Sequence, residues 1–194
     1  IIANGFDMAV FTEVLPKKLP WKELNVDLVM GCTGRLTNRD DAFGHLVAGA
    51  RRVLISAPSR GADNTVVYGV NDHELTSDDI IVSNASCTTN CLAPVLKVLD
   101  DVVGVERGFM TTIHAMTSDQ RPLDSFHQDF LMARAAGSNL IPTTTGAAKA
   151  VGLVLTRLMG RLEGAAIRVP TTNVSLIDLK VNVGSNTTPE EINR

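Results

Sequence analysis

The stretch Ile80-Ile81-Val82-Ser83-Asn84-Ala85-Ser86-Cys87-Thr88-Thr89-Asn90-Cys91 passes from β-branched residues through small polar ones into a helix-forming segment. Residues 80–83 read as a short buried strand, and Cys91, Leu92, Val95, Leu96, Leu99 and Val102 recur at helical spacing over 90–103. Pro94 leaves two helix starts open, one near Cys91 and one near Cys87 with a proline inside the helix. Upstream, 26–30 reads as a strand and 38–50 as a helix capped by Asn38 or Asp40. Its inward residues are Ala42, Leu46 and Val47, and Gly49 stops it. Further strands follow at 52–56 and 65–70. A strand, helix, strand order of this kind predicts a parallel sheet. Downstream the pattern changes to a strand over 107–114, a long loop over 115–138, an Ala-rich helix over 146–161 and a strand over 165–183. That last strand slips phase at Leu176-Ile177.

Composition bounds the function. The 194 residues are 44% hydrophobic and 20% charged, enough apolar material for a buried core. Lys plus Arg number 18 against 21 Asp plus Glu, a net charge of −3, which leaves no basic surplus for bulk nucleic-acid binding. The longest apolar or glycine run, 150–155, is six residues, against the roughly 20 that span a bilayer, so no membrane span is expected. Three cysteines and no leader-like opening predict a reducing, cytoplasmic setting. The chain opens on Ile1 without Met and closes on Glu190-Glu191-Ile192-Asn193-Arg194, which reads as a helix start. That pattern is expected of a piece of a longer chain.

Reactive residue types concentrate in 83–91. A cysteine where a strand turns into a helix meets unpaired N–H groups and the positive end of the helix dipole, both of which stabilise a thiolate. Cys87 is therefore a nucleophile candidate. The blander alternative, a buried small hydrophobe, suits Cys91 better, because Cys91 begins the apolar stripe. Of His45, His73, His114 and His127, His114 closes an apolar strand ahead of a loop, where a rigid element would hold a base. Thr143-Thr144-Thr145-Gly146-Ala147-Ala148-Lys149 places hydroxyls and free N–H groups at a helix start, which suits an anion, although Thr145 could simply be a cap. Arg168 lies in an apolar strand, and a buried guanidinium there calls for an anionic partner. No metal-ligand spacing is present.

Taken together, these motifs resemble a known family. Ala85-Ser86-Cys87-Thr88-Thr89-Asn90-Cys91 closely resembles the active-site signature of phosphorylating glyceraldehyde-3-phosphate dehydrogenases. Leu19-Pro20-Trp21, Cys32-Thr33-Gly34, Ile55-Ser56-Ala57-Pro58, Tyr68-Gly69-Val70-Asn71, Thr111-Thr112-Ile113-His114-Ala115, Thr145 through Ala150 and Arg168-Val169-Pro170-Thr171 follow in the family's order. The resemblance implies an α/β fold. A partial Rossmann-type parallel sheet over 1–86, the back of an NAD-binding domain, would precede an α+β catalytic domain with a mostly antiparallel sheet from 87 to 194. It implies oxidation of glyceraldehyde 3-phosphate to 1,3-bisphosphoglycerate, with Cys87 as nucleophile through a hemithioacetal and thioester. His114 would activate the thiol and act as base while hydride passes to the nicotinamide. Ser86, Thr88, Thr145 and Gly146 would hold inorganic phosphate, and Thr117 and Arg168 the substrate's own phosphate. Thr33, Gly34 and Ser56 would face NAD, with NADP the alternative. The loop 119–142 would line a neighbouring subunit's cofactor site in a homotetramer.

Departures from the family also carry implications. The Gly-rich pyrophosphate turn and the acidic ribose ligand have no counterpart in the sequence. Gly31 stands where the family usually has Glu, and Arg35 where it usually has an apolar or aromatic residue, which points to a different adenine pocket. An internal fragment with half a cofactor site is expected to show no NAD-dependent turnover by itself. The alternatives are erythrose-4-phosphate dehydrogenase, disfavoured by the sequence over 145–149, and a truncated, non-catalytic interaction module.

Overall fold

The computed structural model describes residues 1–193; Arg194, the last residue of the run read as a helix start, lies outside the described residues. The chain forms two compact units. One holds residues 1–66 and 74–85, the other 67–73 and the chain from Ser86 onward.

The first unit opens with a feature the sequence reading missed, an antiparallel pair of β1 (Ile2–Ala3) and β2 (Phe6–Asp7). Asn4 and Gly5 between them both have positive φ, as a tight hairpin turn requires. Then come β3 (Leu28–Gly31), α1 (Arg39–Val47), β4 (Arg52–Ile55), β5 (Asn64–Thr65) and β6 (Ile81–Ser83). The sheet order is β3-β4-β6-β5, and every pair is parallel, as expected. Asn38 is the cap of α1, its side chain accepting from Asp41 N at 2.9 Å. Ala42 packs with Val53, Ile55 and Ile81 to form the core, with Leu46 against it. Val47, expected to face inward, is 62% exposed, because Ala42 and Leu46 set the phase of the helix.

Residues 65–70 are not one strand. Only Asn64–Thr65 pairs, and from Val67 the chain enters a turn closed by side chains that compete with a ladder. Asn71 Oδ1 accepts from Val67 N at 2.9 Å, Asp72 Oδ1 accepts from Gly69 N at 2.6 Å, and Gly69 adopts φ 75.

The first unit carries a pH-dependent contact. Trp21 Nε1 donates to His45 Nδ1 at 3.0 Å, and the two rings stack 6.2 Å apart. Burial holds His45 below its ordinary 6.5. The unfolded chain therefore binds a proton that the native ring resists, so this stability is complete above about pH 6.5 and is lost as pH falls. Denaturant midpoints followed by the fluorescence of Trp21, the one tryptophan, should fall between about pH 7 and pH 5. His45→Gln retains an acceptor but does not titrate, so it should flatten the dependence; equal slopes in both proteins would refute the assignment.

In the second unit α2 (Cys87–Val103) begins at Cys87, with Pro94 inside it and Ser86 as cap. There follow β7 (Val105–Ala115), β8 (Ile141–Thr143), α3 (Ala147–Val154), β9 (Leu162–Val169), β10 (Ser175–Val183) and α4 (Pro189–Ile192). The sheet order is β10-β7-β9-β8, antiparallel at both outer pairs and parallel between β7 and β9. The expected α/β class, a parallel sheet followed by a mostly antiparallel one, holds. Helix α2 packs on β7 and β10, α3 on β9, and the helices on each other, burying Leu92, Leu96, Met110 and Val151.

Two elements differ from expectation. The helix read over 146–161 ends at Val154 and continues as a 3-10 turn, Thr156–Leu158, because the chain folds back onto it. A Cβ on Gly152 would lie 3.0 Å from Met159 Cα. The run 165–183 is two strands rather than one bulged strand. Pro170 cannot donate to the ladder, Val174 sits at φ 65, and the register irregularity falls at Asn182/Val183 instead of Leu176-Ile177.

Candidate active site

Cys87 is the first residue of a 17-residue helix. Ser86 Oγ accepts from Thr89 N at 3.0 Å, and the Ser86 carbonyl accepts from Asn90 N at 2.9 Å, which leaves the N–H groups of Cys87 and Thr88 at the helix mouth. Cys87 is exposed, as a nucleophile must be. Cys91 is also exposed, against the expectation of burial: Leu92, Ala93 and Leu96 turn inward, which puts Cys91 with Val95, Val98 and Val102 on the open side. All three cysteines are free.

His114 reaches the same place through strand alternation. Along β7, Met110 and Thr112 are buried while Phe109 and Ile113 face out, so the two-residue period carries His114 onto the helix-covered side. Its Nε2 lies 3.4 Å from Cys87 Sγ. The other ring nitrogen, Nδ1, is 2.7 Å from the Ala115 carbonyl oxygen and 2.5 Å from Arg168 Nη1. Arg168 stands opposite His114 in the parallel register of β7 and β9. Its Nη1 donates to Ala115 O at 3.1 Å, while Nε is buried without a partner. Arg168 thus meets a histidine and a carbonyl, where the sequence called for an anion.

The remaining phosphate-site candidates fall into three groups. Ser86 and Thr88 flank Cys87, with Thr88 Oγ1 4.0 Å from Sγ, but Ser86 spends its hydroxyl on the cap. Thr145 and Gly146 stand at the start of α3, where Thr145 Oγ1 accepts from Ala147 N at 3.2 Å. The N-cap itself is Gly146, so Thr145 closes the turn ahead of it, and it also lines a cavity of about 420 Å³ with Thr143, Thr144 and Lys149. Thr117 gives its N–H and hydroxyl to Gln120 Oε1, at 2.7 and 3.0 Å.

Thr33, Gly34 and Ser56 follow the carboxyl ends of β3 and β4, the position at which open parallel sheets take nucleotides. Ser56 Oγ donates to Gly31 O at 3.2 Å, and Thr33 Oγ1 accepts from Arg35 N at 3.3 Å. Gly34 has φ 69 and open space where a Cβ would sit, so a ligand can approach its backbone. A cavity of about 660 Å³ lined by Trp21, Met30, Thr33, Arg35 and His45 adjoins them. These residues fit one part of a dinucleotide; the pyrophosphate-cradling turn has no counterpart in the sequence.

Two contributors escaped the sequence reading, the Ala115 carbonyl and Val174. Val174 O accepts from Ala115 N at 3.1 Å and so helps to seat the residue after the histidine. No sequence signal marks it, since a β-branched residue is the least expected occupant of positive φ. Among the described residues no group of histidine, cysteine and carboxylate side chains could hold a metal ion, and no helix is long and apolar enough to cross a membrane.

The family model for the glyceraldehyde 3-phosphate dehydrogenase C-terminal domain matches residues 86–194. A glyceraldehyde-3-phosphate dehydrogenase of Xanthobacter flavus is 64% identical over 178 residues, covering 92% of this chain and 53% of that protein. The Zymomonas mobilis protein of the same name is 56% identical over all 194 residues and 58% of its own length. A chloroplastic glyceraldehyde-3-phosphate dehydrogenase A of Scenedesmus vacuolatus is 53% identical over 194 residues and 62% of its length. The chain thus spans a little over half the length of the curated relatives it matches.

Proposed function

Because this chain belongs to the glyceraldehyde-3-phosphate dehydrogenase family, we propose that it carries the thiol chemistry of the oxidative phosphorylation of glyceraldehyde 3-phosphate to 1,3-bisphosphoglycerate. The observation that carries this reading is the 3.4 Å contact between Cys87 Sγ, at the start of a long helix, and His114 Nε2. The Cys87 thiol adds across the aldehyde carbonyl, sulfur to carbon and its proton to oxygen, and His114 then takes the proton of the resulting hydroxyl. A bound nicotinamide dinucleotide, NAD or NADP, supplies the hydride acceptor, and Thr33, Gly34 and Ser56 would hold part of it. The oxidised carbon stays on sulfur as a thioester. Inorganic phosphate, received by Ser86, Thr88, Thr145 and Gly146, then attacks it, and the thiolate leaves as the acyl phosphate forms. Thr117 and Arg168 would receive the phosphate that the aldehyde already carries.

The same reading makes the loop 119–142 a subunit contact in a homotetramer and places the protein in the cytoplasm, where its free cysteines stay reduced. It also has the 194-residue chain, tested by itself, produce no NADH.

Alkylation by iodoacetamide, located by peptide mass, tests the reading. Cys87 should react ahead of Cys32 and Cys91, although all three are exposed. His114→Asn should slow Cys87 alone by about ten- to a hundredfold, the worth of one charge-assisted hydrogen bond. Equal rates at the three cysteines would rule the reading out.

A further inference from the structure

His114 Nδ1 lies within hydrogen-bond distance of two groups with opposite demands, the Ala115 carbonyl oxygen at 2.7 Å and Arg168 Nη1 at 2.5 Å. A carbonyl oxygen only accepts and a guanidinium only donates, so Nδ1 offers a proton to one or a lone pair to the other. That choice fixes the opposite nitrogen. When Arg168 donates to Nδ1, the proton of the neutral ring sits on Nε2, directed at Cys87 Sγ 3.4 Å away. When Nδ1–H serves Ala115, Nε2 carries the lone pair. Only the second form can take a proton from a hydroxyl formed on a carbon bound to Cys87.

The guanidinium has somewhere else to go. Its Nε is a buried donor without a partner, on a cation whose Nη1 has only a ring nitrogen and a carbonyl for company. Such a donor lacks an acceptor, and a phosphate offers oxygens that match the guanidinium fork. The charged and titratable groups that meet His114 are Cys87 from α2 and Arg168 from β9, while β10 sets uncharged Ser175 opposite.

We propose that Arg168 is a positioning residue that couples phosphate binding to the tautomer of His114. Without an anion, Arg168 donates to Nδ1 and keeps the ring proton on Nε2, and the base is off. A phosphate-bearing aldehyde draws the guanidinium onto its phosphate, Nδ1 takes a proton and donates a hydrogen bond to the Ala115 carbonyl, and Nε2 becomes the acceptor. One proton leaves Nε2 for solvent and one arrives at Nδ1 from solvent, so the charge of the ring is unchanged. The inference rests on the reading of Cys87 and His114 as nucleophile and base. It adds a reason for the substrate to carry phosphate: the anion turns the base on.

The imidazole ¹⁵N resonances of the chain, recorded where the ring is neutral, report the tautomer directly; those of His114 are the ones lost in His114→Asn. The anion-free chain should show Nε2 protonated and Nδ1 bare. Saturation with glycerol 3-phosphate, a phosphate ester without an aldehyde, should exchange the two. A response to the ester but not to inorganic phosphate assigns the anion to the substrate, and equal responses assign it to phosphate as such. Arg168→Leu should show Nδ1–H with no anion, and Arg168→Lys should restore the original form. A ring protonated on Nδ1 from the outset overturns the proposal, as does a tautomer that neither anion changes; both are read on the unsubstituted chain. Neither result touches the assignment of Cys87, which acyl transfer measures separately.

Discussion

Exposed to an acyl phosphate, the chain should gain one acyl group on Cys87, and Cys87→Ser should slow that transfer by roughly 10⁴-fold or more, as removal of a covalent nucleophile does. This reaction reverses the last step of the proposed chemistry: sulfur attacks the acyl carbon, and phosphate leaves. It needs no dinucleotide, so it isolates the part of the mechanism that the second unit holds. Sulfur at the first position of α2 stands at the helix N–H groups and 3.4 Å from His114 Nε2. A serine hydroxyl in the same place is a much weaker nucleophile than sulfur. Intact mass gives the stoichiometry and peptide mass the site. Acylation that persists in Cys87→Ser, or that falls equally on Cys32 and Cys91, would sink the assignment.

The largest effect on stability should come from Gly49→Ala. Gly49 has φ 106, and a Cβ there would lie 2.5 Å from Lys22 Cβ, 2.7 Å from its Cα and 2.8 Å from its N. The side chain of lysine could move aside, but its backbone is tied: Lys22 N donates to Ala48 O at 2.9 Å. Positive φ costs an L residue about 1–2 kcal/mol, and forcing atoms into a packed contact about 1–3 kcal/mol more, so a loss of roughly 3 kcal/mol follows. Gly34→Ala is the control. It has φ 69 but meets nothing within 4 Å, so only the backbone term, about 1–2 kcal/mol, applies. Urea unfolding followed by Trp21 fluorescence should rank the two in that order. Equal losses would mean that Lys22 yields freely.

Much of the architecture was legible because it is local. Asn38 ahead of α1 and the apolar stripe through Leu92 and Leu96 act within a few residues of themselves, and spacing reveals them. The junction of strand and helix around Cys87 was legible for the same reason, while Pro94 left the helix start open between Cys87 and Cys91 until the structure placed it at Cys87. Where the sequence misled, a local pattern was outcompeted. Val67 has a strand-forming side chain, but Asn71 claims its backbone donor and Asp72 that of Gly69, both of which a ladder would need. Residues 165–183 alternate well enough for one strand, yet Pro170 and the positive φ of Val174 turn the chain back to pair with β7.

The sequence by itself determined a parallel sheet, a cysteine where a strand turns into a helix, and a histidine at the end of a strand, while the mostly antiparallel second sheet followed from the family resemblance. Apolar periodicity and caps set the first three, and both act over a turn or two of chain. Only the tertiary structure decided that His114 and Arg168, 54 residues apart, would stand opposite each other with the histidine against Cys87. Strand register places those side chains, and register is chosen by the packing of α2 and α3 over the sheet, an interaction that no window of neighbouring residues contains.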